Sequence, residues 1–160
     1  MAEPLRATDT RETMLPGARF LIVEARFYEQ ISAMLYEGAR RALEKAGVTF
    51  DTIAVPGALE IPAAIAIALD APAVAYDGVV ALGCVVRGET FHFEIVAGES
   101  ARGLMDLSIA RALPVGNGVL TVETMAQAEE RADPNRGDKG GDAARAALTL
   151  AALKLGPPAR

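Results

Sequence analysis

Four stretches of the chain are apolar enough to form buried strands: ARFLIVEA (18–25), VTFDTIAV (48–55), DGVVALGCVV (77–86) and PVGNGVLTV (114–122). The first and third are almost continuously apolar, as strands covered on both faces are. Between them the spacing changes to that of helices. YEQISAMLYEGARRALEKAG (28–47) sets Ile31, Leu35, Ala39, Ala42, Leu43 and Ala46 on one stripe and stops at Gly47. ALEIPAAIAIAL (58–69) reads as a second helix, with Pro62 in the opening turn, where proline is tolerated. Three more helices are predicted over about 91–112, 125–132 and 141–155. Uninterrupted strand–helix alternation predicts a central four-stranded parallel sheet with right-handed crossovers and helices on both faces, a three-layer α/β/α sandwich.

The 58–69 helix stands apart, because after Glu60 it has almost no polar face. A helix apolar all round is buried all round. In a domain this small, one face lies on the sheet and the other is expected to meet a second subunit. Residues 1–17 are polar, carry mixed charge and show no period, which predicts a loose tail before a single domain over 18–160.

Composition narrows the classes. The 160 residues suffice for one core, and the net charge is −5 with no basic run, a poor match for nucleic acid or an anionic membrane. The most apolar window, 61–69, is far shorter than the roughly 20 residues that span a bilayer. No apolar segment of signal-peptide type opens the chain, and the lone Cys84 allows no intrachain disulfide, so a cytoplasmic protein is expected. With one cysteine and one histidine, a metal site built from them is not expected.

In an open parallel sheet, ligands bind beyond the carboxyl ends of the strands, near the point where strand order reverses. The third strand runs into Arg87-Gly88-Glu89-Thr90-Phe91-His92, which holds the single histidine of the chain. Gly88 permits close approach of a ligand to the backbone, and the free N–H groups opening the next helix favour a phosphate. His92 is either a proton-transfer group beside that anion or a loop residue with no ligand. Phe27, past the first strand, either covers the sheet edge or stacks on a planar heterocycle. The VPGALE turn (55–60) is either a simple bend or a set of amides that reads a ring edge, with Glu60 accepting from hydroxyls. Arg131 and Lys139 are solvated ion-pair partners or anion ligands. RGDKGGD (136–142) lacks the spacing of a P-loop, and no G-x-G-x-x-G follows a strand.

Six motifs in order resemble the lumazine synthase family: VEARFY (23–28), VPGALEIP (55–62), ALGCVVRGETFHF (81–93), GVLTVET (118–124), QAEERA (127–132) and DKGGDAA (138–144). The resemblance covers about residues 18–155. It implies a flavodoxin-like fold and a transferase of riboflavin biosynthesis that needs no cofactor. That enzyme condenses a ribitylamino-pyrimidine amine with a dihydroxybutanone phosphate. On that resemblance, Phe27 stacks on the pyrimidine, and Gly57, Ala58, Leu59 and Glu60 bind its edge and the ribityl chain. Val85 and Val86 line the pocket, Gly88, Glu89, Thr90 and Arg131 hold phosphate, His92 moves protons and Lys139 lies nearby. The family's sites lie between adjacent subunits of a pentamer, alone or in larger assemblies.

One position departs from the family pattern. Many members place an aromatic residue before the glycine of the fourth strand, against the ring bound by the neighbouring subunit. This chain has Asn117 there. Asparagine supplies no aromatic packing, which is worth about 0.5–1.5 kcal/mol beyond burial. The same departure is the one feature that favours a rival reading, a non-catalytic flavin or lumazine carrier with a retained pocket.

Overall fold

In the computed structural model, which describes residues 12–71 and 73–156, nine elements alternate as the hydrophobic pattern predicts. They are β1 (Arg19–Ala25), α1 (Glu29–Lys45), β2 (Thr49–Val55), α2 (Glu60–Asp70), β3 (Gly78–Val86), α3 (His92–Ala110), β4 (Val115–Val122), α4 (Met125–Ala132) and α5 (Lys139–Leu155). The sheet is entirely parallel, in the order β2-β1-β3-β4. The two strands read as continuously apolar, β1 and β3, are its centre and are buried almost throughout. Edge strand β4 alternates: Gly116, Gly118, Leu120 and Val122 turn inward, while Asn117 and Thr121 stay exposed.

Helices cover both faces. One core joins Phe20 and Ile22 of β1 to Leu35 and Leu43 of α1, Ala128 of α4 and Leu148 of α5. The other joins Leu21 and Val23 to Ile61 and Ile65 of α2 and Leu104 of α3. The alternation of β1 side chains feeds both. Ile31, Leu35, Ala39, Ala42 and Leu43, the stripe read from the sequence, are the buried face of α1.

Two helices on the first face come nearly into backbone contact. A Cβ on Gly140 would lie 2.0 Å from the Leu35 carbonyl oxygen, and one on Gly38 would lie 2.4 Å from an Asp138 carboxylate oxygen. Asp138 adopts a left-handed conformation (φ 47°), and its carboxylate accepts from the Gly141 N–H at 3.3 Å, capping α5. Helix α5 therefore opens at Lys139, two residues before the glycine expected to start it.

Of the stretch read as a loose tail, residues 1–11 lie outside the described residues. Within 12–17, the Leu15 N–H donates to the Ala46 carbonyl at 2.9 Å, and its side chain packs on the first core.

Candidate active site

The chain leaves β1 through α1 toward β2, and leaves β3 through α3 toward β4, on the opposite side. Connections diverging from neighbouring strands open a crevice at their carboxyl ends. A cavity of about 440 Å³ lies there.

Three loops build its wall. After β1, the buried Ser32 hydroxyl donates to the Ala25 carbonyl at 2.9 Å, tying α1 to the strand end. The tight turn between them leaves Phe27 71% exposed at the cavity rim, edge-on to Tyr28 with centroids 5.0 Å apart. After β2, Pro56, Gly57, Ala58, Leu59 and Glu60 form one side. That turn is closed by hydrogen bonds from Glu60 N–H to Gly57 and from Ile61 N–H to Ala58, each 3.2 Å. After β3, Val85 and Val86 lead into Gly88, Thr90 and His92.

No side chain caps α3 from Phe91, the residue before its first turn. The Thr90 hydroxyl accepts from the His92 N–H at a long 3.4 Å. A helix start with so little internal satisfaction, facing a cavity, suits an anion.

Ten of the predicted site residues thus share one cavity. Four do not. Glu89 is exposed outside its lining, and Asn117 accepts from the Val119 N–H at 3.0 Å on the edge strand. Arg131 donates to the Gln127 carbonyl at 3.2 Å on α4, and Lys139 pairs with Asp142 at 2.9 Å on α5. Among the described residues, the cavity wall therefore carries no lysine or arginine.

The structure adds Tyr28, Pro56, Cys84, Phe93 and Val96 to the wall. Phe93 and Val96 follow His92 along α3 and were within reach of the helical period. Cys84 is buried, which pushes its thiol up to about 11, so it stays protonated at neutral pH. Arg87 joins the site differently: its guanidinium lies 4.2 Å over the Phe93 ring and pairs with Glu94 and Glu123. The Arg87 hydrogen bond holds the Glu94 carboxyl below the usual carboxylate range. Among the described residues, no group of three or more His, Cys, Asp and Glu side chains is placed to hold a metal ion. Nor is any helix long and apolar enough to cross a membrane.

A doubly wound α/β sheet thus gathers an aromatic rim, an amide-rich turn and a helix start around one cavity. A family model described as 6,7-dimethyl-8-ribityllumazine synthase matches residues 17–154. The chain is 61% identical over 156 residues to the 6,7-dimethyl-8-ribityllumazine synthase of Methylocella silvestris, covering 96% of this chain and 95% of that one. It is 65% identical over 141 residues to the enzyme of that name from Azorhizobium caulinodans, covering 86% and 87%. The counterpart from Rhodopseudomonas palustris is 60% identical over 157 residues, covering 96% of each. The chain belongs to the 6,7-dimethyl-8-ribityllumazine synthase family.

Proposed function

We propose that this protein condenses 5-amino-6-ribitylamino-pyrimidinedione with 3,4-dihydroxy-2-butanone 4-phosphate. The products are 6,7-dimethyl-8-ribityllumazine, phosphate and two water molecules, in the penultimate step of riboflavin biosynthesis. Phe27 stacks on the pyrimidine, the Gly57–Glu60 turn takes its edge and ribityl hydroxyls, and Val85 and Val86 pack beneath. Gly88, Glu89 and Thr90 hold the phosphate at the start of α3. His92 sits between the two half-sites and moves protons during imine formation and phosphate elimination. Holding two substrates in register supplies much of the acceleration in such a condensation.

The observation that carries this reading is the composition of the cavity wall. It offers a ring platform, amides and a helix start, yet no lysine or arginine among the described residues. A phosphate dianion taken from water requires a cation. Arg131 and Lys139 lie on α4 and α5, outside the wall, so a neighbouring copy supplies them. Assembly is then part of the active site, and a ring of copies, a pentamer or a set of pentamers, satisfies every site at once. Asn117, on the exposed side of β4, approaches the neighbour's ring in the same arrangement. The site of action is the cytoplasm.

Mixing the protein with both substrates and following lumazine fluorescence tests the activity. Catalysed product formation supports the enzyme, whereas a response only to added finished flavin would make the protein a carrier. Arg131→Ala tests the phosphate assignment. Loss of a charge-assisted bond costs roughly 1.5–3 kcal/mol. It should raise KM for the phosphate substrate far more than for the pyrimidine; equal effects on both would count against Arg131.

A further inference from the structure

Arg87 is the last residue before the Gly88–Thr90 loop. Its N–H donates to the Val122 carbonyl at 2.9 Å, extending the β3–β4 ladder one residue past β3. Three contacts then converge on its side chain. Nε pairs with Glu123 just beyond β4 at 2.7 Å, a terminal nitrogen pairs with Glu94, and the plane lies over Phe93. Glu94 and Phe93 belong to the first turn of α3. One guanidinium thus ties the start of the loop to the helix that ends it, and both to the neighbouring strand.

Two carboxylates already occupy this cation, which makes it a poor phosphate ligand. Its ion pairs are solvent-exposed, with side-chain exposure of 39% for Arg87, 40% for Glu94 and 58% for Glu123, so they add little to global stability. Their consequence is local. The contacts fix the span of residues 88–91 and the orientation of Phe93 in the cavity wall.

We propose that Arg87 is a positioning residue for the phosphate-bearing substrate, holding the Gly88–Thr90 loop and the Phe93 ring in their binding geometry without touching the substrate. This rests on reading Gly88–Thr90 as the phosphate loop. Arginine is required because a planar fork makes two ion pairs and a ring stack at once, and lysine reproduces only a point charge.

The test compares Arg87→Gln, Arg87→Lys and Thr90→Val in the assembled enzyme. It reads KM for each substrate, turnover, melting temperature and inhibition by inorganic phosphate. Arg87→Gln should weaken both the phosphate substrate and inorganic phosphate by about 3- to 10-fold, with the pyrimidine KM within about two-fold. Melting should be unchanged and Arg87→Lys should fall between. Adding Glu94→Gln to Arg87→Gln should cost little more, because the pair acts as a unit. Unchanged phosphate constants, an equal rise for both substrates, or a lysine variant no better than glutamine would overturn the role. A loss beyond about 100-fold would make Arg87 a direct ligand and overturn it equally. Thr90→Val separates the two levels. If it leaves phosphate inhibition intact, the phosphate loop itself is misassigned and the inference falls with it. If it weakens inhibition while Arg87→Gln does not, only the Arg87 role is lost.

Discussion

The two faces of the sheet are finished to different degrees. On one, α1 buries Ile31, Leu35, Ala39, Ala42 and Leu43, and α5 buries a run from Gly140 to Ala151. The outer side of α1 is ionic: Glu37 pairs with Arg40 and Arg41, and the Arg40 hydrogen bond leads in holding its carboxyl at about 2. Among the described residues of α1, α4 and α5, the exposed large apolar side chains are Met125 at the start of α4 and Leu150, Leu153 and Leu155 toward the end of α5. On the other face, α2 buries only Ile61 and Ile65, and the 19 residues of α3 bury only Ser100 and Leu104. Ile67 of α2 and Met105 and Ile109 of α3 are each at least 60% exposed there, with Ile95 also on α3 and Phe91 just before it. An exposed apolar surface that extends along two helices marks an interaction face. The chain's own helices bury far more of the first face than of the second, and the second is the face proposed to meet another copy.

That contrast is breakable. Ile67→Glu puts a charge where a dry contact is inferred, at a cost well above that of a surface change. It should abolish assembly beyond a monomer and activity together, measured by light scattering and lumazine formation. Arg41→Ala, on the ionic face of α1, should alter neither. An active monomer in either variant would end the shared-site reading.

A smaller effect, on the closed face, comes from Gly140→Ala. The added methyl must displace the α1 backbone at Leu35, and overpacking of this kind costs about 1–3 kcal/mol. The melting temperature should fall clearly. Activity should fall as well, because α5 carries Lys139 at its start. A variant as stable as the parent would show that the α1–α5 crossing relaxes freely.

His92→Ala acts on the open face, at the cavity. A positioned imidazole contributes about 10²–10⁴-fold, and this reaction should sit in the lower part of that range because substrate approximation survives the change. Substrate KM values should hold, and the acidic limb of the pH–rate profile should flatten. Full turnover with an unchanged profile would make His92 structural.

The smallest effect belongs to Glu24, 9% exposed on the same side of β1 as Phe20 and Ile22. Burial raises its pKa above the ordinary carboxylate value, against the pull of Arg26. Its folded pKa therefore lies above its unfolded one, so the native state binds more protons between the two. Stability falls as pH rises through that window, and the penalty is complete above it. Glu24→Gln should melt slightly higher at neutral pH and lose that part of the pH dependence. A lower melting temperature at every pH would show that the carboxylate has a favourable partner.

The information legible along the chain is local. Strand and helix periods depend on near neighbours, which is why all nine elements were legible to within a residue or two at most boundaries. The cavity-lining Phe27, Gly57 to Glu60, Val85, Val86, Gly88, Thr90 and His92 were legible for the same reason. Each lies at a strand's carboxyl end or between it and the start of the next helix, and a parallel sheet gathers those ends on one side. Tertiary structure alone decided the order β2-β1-β3-β4, and with it the crevice between β1 and β3. It also brought Arg87 to Glu123 and kept Arg131 and Lys139 away from the cavity wall. Contacts of that kind join residues far apart along the chain. Their partners are chosen by the packing of whole helices on a twisted sheet, and no local period encodes that choice.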